Sequence, residues 1–135
     1  LESGYMIAHV TAASLASENK TLAHPSSIDS ITTSGGQEDI VSMAPWAGRS
    51  CLKIIENVRR ILAIELLVSG NVNHRFHQKL SSSKSLRALI LLLKQVRVLS
   101  MKDRVFSKDI EKVEDLLKKN KVFSTVNKIK KVSRI

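Results

Sequence analysis

An all-α fold, a bundle built on long helices, is predicted by three features of the sequence. Apolar residues recur at helical spacing over residues 41–69, with Leu52, Ile55, Val58, Leu62 and Leu66 on one stripe and Ile54, Ile61 and Ile64 widening it. The same spacing returns over residues 83–99 and again after residue 107. Ala, Leu, Ile, Lys and Val dominate a chain of 135 residues that has only two prolines and five glycines.

In chain order, residues 3–23 read as the first helix. Met6, Ile7, Val10, Ala13 and Leu15 place apolar groups on nearly every face, as expected of a helix buried inside a larger assembly. His24-Pro25 stops it, because proline excludes its predecessor from the α region. The segment through Gly36 is rich in Ser, Thr and Gly and reads as a loop. Residues 41–69 form the second helix, about 40 Å long at 1.5 Å per residue. Pro45 is tolerated there only in the first turn. Gly70-Asn71 is expected to end it. Asn71 to Ser82 reads as a polar loop carrying His74 and His77 without a third metal ligand nearby. The third helix spans residues 83–99, with Leu86, Leu89, Ile90, Leu93 and Val96 inward. Ser107 reads as the N-cap of a last helix whose face is Ile110, Val113, Leu116 and Leu117. Beyond Asn120 the Lys-rich residues read as a frayed basic extension. The resulting division is residues 1–70, residues 71–123 and a basic tail over 124–135.

Charge is spread unevenly within a net +10. Residues 1–69 carry five Lys/Arg against seven Asp/Glu, and residues 70–135 carry seventeen against five. A basic half suits an anionic partner or simply a solvated helical surface. Neither interleaved aromatics nor a recognisable module points to nucleic acid. The single cysteine, Cys51, excludes an internal disulfide and reads as a buried structural thiol of a cytoplasmic protein. The longest apolar run, residues 88–93, is too short to span a bilayer, and no membrane partner is expected. The chain starts without methionine inside a helical pattern, which is expected of a piece of a larger protein.

The chemistry-bearing stretch is Thr33-Ser34-Gly35-Gly36-Gln37-Glu38-Asp39-Ile40-Val41-Ser42-Met43-Ala44-Pro45. Two glycines permit positive φ. An amide and two carboxylates follow, where a helix N-terminus would favour negative charge. Spacing alone leaves two readings open: a helix start with a capping acid, or a turn that points a side chain into a site.

This stretch resembles the Gln-Glu-Asp turn of the aromatic amino acid ammonia-lyases, most closely the branch acting on histidine. Glu2-Ser3-Gly4-Tyr5-Met6-Ile7-Ala8, continuing into Thr11-Ala12-Ala13-Ser14-Leu15-Ala16-Ser17-Glu18-Asn19-Lys20, is similar to the family helix before the turn. Arg60-Ile61-Leu62-Ala63-Ile64-Glu65-Leu66-Leu67 resembles the helix after it, and Met101 to Phe106 resembles the segment before the last helix. The resemblance is dense from Leu1 to about Gly70 and thinner from Ser83 to Phe123. It implies a C-terminal piece of the ammonia-lyase helical fold in a homotetramer. The implied activity is elimination of ammonia from L-histidine to give urocanate. Glu38 matches the family glutamate that contacts the imidazole and accepts a proton, while Gln37 and Met6 match substrate-binding positions. Phenylalanine and tyrosine lyases carry Asn-Gln where Gln37-Glu38 stands, and the plant phenylalanine enzymes carry lysine at Met6. Without the resemblance, Met6 reads as a core methionine.

The implied cofactor is methylidene-imidazolone, formed from an internal Ala-Ser-Gly. This chain has Ser3-Gly4, Ser34-Gly35 and Ser69-Gly70, none preceded by alanine. Alone it is therefore expected to be inactive and to need upstream lyase chain as partner. The sequence also departs from the family pattern: Ser34-Gly35-Gly36 replaces Ser-Ala-Asn, His9 a glutamine, Ile40 a histidine and Trp46 a small residue. A non-catalytic helical interaction module derived from the lyase fold is the alternative, and a basic nucleic-acid binder using residues 70–135 is a weaker third.

Overall fold

The structure, a computed structural model, describes residues 4–77, 79–80, 82–100 and 102–132. These form helices α1 (Met6–Leu22), α2 (Ala44–Phe76), α3 (Lys84–Gln95), α4 (Ser107–Lys118) and α5 (Lys121–Val132). No strand occurs among the described residues, in agreement with the all-α expectation. The expected helix start at Ser3, and Met101 of the segment before α4, lie outside them. No helix among the described residues is long and apolar enough to cross a membrane.

The spine is α2, with Pro45 in its first turn as expected and a length of about 50 Å. It does not stop at Gly70-Asn71. Gly70 keeps helical dihedrals and lies against the Leu93 side chain, with Leu99 on the other side of the space that a Cβ would occupy. Its missing side chain thus serves close helix approach, not a left-handed cap. Asn71 is buried, and its Nδ2 donates to the carbonyls of Leu67 (2.9 Å) and Val98 (3.2 Å). Its Oδ1 accepts from the Ser100 N–H at 2.7 Å. The helix continues for a turn and a half beyond the glycine to a C-cap at His77, so His74 is helical, not part of a loop.

Two further polar contacts tie neighbours to α2. Asn57, 5% exposed, donates through Nδ2 to Glu18 Oε2 (2.8 Å) and Asn19 Oδ1 (2.9 Å) near the end of α1. Arg60 Nε donates to Glu114 Oε2 of α4 at 3.1 Å. The core lies between these helices: Ala63 and Leu67 of α2, Leu93 of α3, Val98, and Val113 and Leu116 of α4. Arg97, at φ 57°, turns the chain after α3 so that Val98 enters this core, which is why α3 stops at Gln95 short of the expected residue 99. Ser83 caps α3 by accepting from the Leu86 N–H at 3.2 Å.

Three other expectations change. Ser107 is not a cap: Phe106 takes that position and stacks on Tyr5 at 4.4 Å between ring centroids. The first turn of α4 instead holds buried Asp109, paired with Arg104 at 2.7 Å. The expected frayed extension is α5, reached through Asn120 at φ 56° and packed on α3. The apolar stripe along α2 is divided: Ile64 is buried and Leu66 packs on the core, while Leu52, at 64%, and Leu62, at 47%, are exposed. Spacing reveals that a helix has an apolar face, not which neighbour covers it. Cys51 is likewise exposed, on the side of α2 away from its buried neighbour Ser50.

Two outcomes follow from these contacts. Asn71→Ala strands the Val98 carbonyl and Ser100 amide and lowers stability by about 1–3 kcal/mol, read from denaturant midpoints; an unchanged midpoint contradicts the clamp. Glu114 gives a pH signature. Burial raises its carboxyl, but hydrogen bonds and charge from Lys118 and Arg60 outweigh burial and hold it below its ordinary 4.5. A folded-state value below the unfolded one gives stability that is present above the ordinary value and lost as pH falls through the folded one. Glu114→Gln should therefore lose less stability than the parent between about pH 5 and pH 3. Equal acid sensitivity in thermal melts contradicts this.

Candidate active site

Residues 23–43 join α1 to α2, and they carry their own hydrogen bonds instead of a core. A 3-10 turn at Ser26–Ile28 rests on α2, and a second at Ser34–Gly36 closes a tight reversal. Ser34, Gly35 and Gly36 all have positive φ, at 56°, 67° and 87°. Nothing lies within 4 Å of the space a Cβ would take at Gly35 or Gly36, so backbone conformation, not crowding, favours glycine there.

The reversal brings Thr33 opposite Glu38 in an isolated antiparallel bridge. The Thr33 N–H donates to the Glu38 carbonyl at 3.0 Å, and the Thr33 carbonyl accepts from the N–H groups of Gly36 (3.1 Å) and Glu38 (3.4 Å). The Thr33 hydroxyl donates to Glu38 Oε2 at 3.3 Å. A second clasp lies behind the first. Ser30 Oγ donates to the Asp39 carbonyl at 3.2 Å and accepts from the Val41 N–H at 2.9 Å. Seven backbone groups of an exposed segment are satisfied in this way, without help from any helix.

The helix-start reading of Gln37-Glu38-Asp39 is therefore overturned. The first turn of α2 begins at Ala44 and contains no acid, and the acids sit in the turn before it. Gln37 and Glu38 are adjacent and exposed, and Ile40, where the family pattern has histidine, is 91% exposed. Met6 opens α1 and is 58% exposed, so a core methionine is excluded within this chain. From Met6, the seventeen residues of α1 extend about 25 Å to the point where the loop leaves. A groove of about 720 Å³ lies between α1, α2 and the start of α4, lined by Ile7, Arg60, Ile64, Arg104, Phe106 and Ile110 among others. None of Met6, Gln37 and Glu38 lines it.

Chemically, the turn presents a carboxylate and an amide side by side on a constrained backbone. A carboxylate is acceptor-only when ionised and suits a ring N–H; the amide can donate and accept. Sequence reasoning missed Thr33 and Ser30. The signal was available: Gly-Gly between short polar segments is a hairpin sign, and it pairs the residues flanking the turn. No group of three potential metal ligands occurs among the described residues.

A protein-family model described as aromatic amino acid lyase matches residues 1–95. Histidine ammonia-lyase of Aliivibrio fischeri is 53% identical over 119 residues, and that of Homo sapiens 46% over 123. These alignments take in 87% and 91% of this chain but 23% and 19% of the relatives. The crystal structure of histidine ammonia-lyase from Trypanosoma cruzi superposes with a TM-score of 0.89 at 43% identity, covering 94% of this chain and 25% of that one. The chain thus spans about a fifth to a quarter of the length of the relatives it matches.

The turn makes a prediction that needs no activity. Gly36→Ala forces a side chain onto a left-handed backbone, at a cost of about 1–2 kcal/mol. Exchange of the Thr33 amide should speed up about tenfold, as read by hydrogen exchange; an unchanged rate would show that the bridge does not depend on this conformation.

Proposed function

The chain belongs to the aromatic amino acid lyase family, and we propose that it is the C-terminal part of a histidine ammonia-lyase, supplying the substrate-ring side of the active site. The observation that carries this reading is 46–53% identity to histidine ammonia-lyases over a stretch that includes Gln37 and Glu38. The reaction is elimination: the Cα–N bond of L-histidine breaks and a β-proton leaves, giving urocanate and ammonia.

In this reading the Glu38 carboxylate accepts a hydrogen bond from the imidazole N–H, orients the ring and serves as proton acceptor. Gln37 fixes the polar surroundings with its amide, and the Met6 thioether lines the ring pocket. A phenyl ring offers no N–H to Glu38, so a site of this kind favours histidine over phenylalanine. In this reading the site is completed by more than one copy of the chain, as in a homotetramer. The uncovered part of the apolar stripe on α2 supports this view, since exposed apolar surface of this extent marks an interaction site.

The family's electrophile, methylidene-imidazolone, does not fit the residues present. Ser34 follows Thr33 in the left-handed turn. Ser69 follows Val68 inside α2, with its Oγ donating to the Glu65 carbonyl at 2.7 Å, and Ser3 follows Glu2 in the sequence, so none of the three Ser-Gly pairs supplies the alanine the group needs. The chain alone is therefore inactive, and activity belongs to the complete cytoplasmic protein carrying an Ala-Ser-Gly.

Given L-histidine, the complete protein should raise the absorbance of urocanate, and Glu38→Ala should cut turnover by about 10²–10⁴. Near-normal turnover in that variant contradicts the role of Glu38. Absence of any activity in a protein that contains the tripeptide favours the non-catalytic module.

A further inference from the structure

We infer that Thr33 is a positioning residue for this reaction, its hydroxyl holding the Glu38 carboxylate at the angle from which it meets the substrate ring. The inference rests on the role given to Glu38 above. Residues directly opposed across an antiparallel bridge place their Cβ atoms about 4.5–5.5 Å apart on one side of the ribbon. Thr33 and Glu38 are such a pair, so hydroxyl and carboxylate face each other by construction. Four hydrogen bonds converge on Thr33: one from its N–H, two to its carbonyl and one from its hydroxyl. Three of the four reach Glu38, two through its backbone and one through Oε2.

Among the described residues the Glu38 side chain makes no other hydrogen bond, so the hydroxyl contact alone restrains its torsions. It occupies one oxygen and leaves Oε1 directed elsewhere, which suits a group that must hold a fixed orientation and still meet a ligand. At 3.3 Å the contact is longer than a tight O–H···O bond. Catalytic contacts in ligand-free sites are often long and tighten when substrate arrives.

The test uses the complete protein with L-histidine, comparing Thr33→Val and Thr33→Ser, each also combined with Glu38→Ala. Thr33→Val removes the hydroxyl while preserving shape and backbone bridge. It should lower kcat about tenfold with KM little changed, and Thr33→Ser should recover most of the loss. On top of Glu38→Ala, Thr33→Val should cost nothing more, because there is no carboxylate left to hold. A parental kcat for Thr33→Val overturns the inference. So does an equal loss with and without the Glu38 carboxylate, which would mean that Thr33 acts on the turn itself. If Thr33→Val shifts the thermal midpoint, Thr33→Ala is read instead under the same expectations. Glu38→Ala with normal turnover removes the role of Glu38 and this inference together. Loss in Glu38→Ala without loss in Thr33→Val removes only this one.

Discussion

The structure depends on α2 staying helical for thirty-three residues while other parts of the chain press against it from several sides. Near its end this is achieved by two adjacent residues with opposite tasks. Gly70 offers no side chain, so Leu93 of α3 can sit against the backbone. Asn71 offers an amide that binds one carbonyl of its own helix and two backbone groups of the segment after α3. One residue makes room and the next fastens what has entered it. Without this pair, Val98 would lose its place in the core and α3 its contact with the spine.

At the other end of α2 the principle is reversed. The loop before Ala44 has almost no buried apolar surface and is held by polar clasps of its own. Ser30 binds both Asp39 and Val41, and Thr33 binds Glu38. A turn with three consecutive positive φ values persists because these hydrogen bonds fix its two arms. Such a loop presents side chains on a hydrogen-bonded frame without burying them in its own chain. This is the arrangement expected where a site is completed by surfaces from outside the chain. The uncovered part of the apolar stripe on α2 fits the same picture.

Sequence reading reached the helical class, the position of Pro45 and the apolar face of α4, because each depends on local pattern. It failed where the same residue type answers two different needs. Gly70-Asn71 has the composition of a helix stop, yet serves close packing and a tertiary clamp. Ser107 has the chemistry of a cap, yet Tyr5 draws Phe106 into that position by stacking. Cys51 looks buried from its place in an apolar helical pattern, and whether an apolar face is covered is a property of neighbours, not of spacing. The Gln-Glu-Asp turn was legible as chemistry. Its geometry was not, because the partner that shapes it, Thr33, lies across a reversal instead of along a helix.

The central claim is that this reversal carries the Glu38 carboxylate to the ring of a bound amino acid. A crystal structure of the complete protein with an imidazole-bearing substrate analogue tests it most directly. The account predicts a Glu38 oxygen within about 3.2 Å of a ring nitrogen, with Thr33 still bonded to the other oxygen. A carboxylate turned to bulk water, with both ring nitrogens held by other groups, would contradict it.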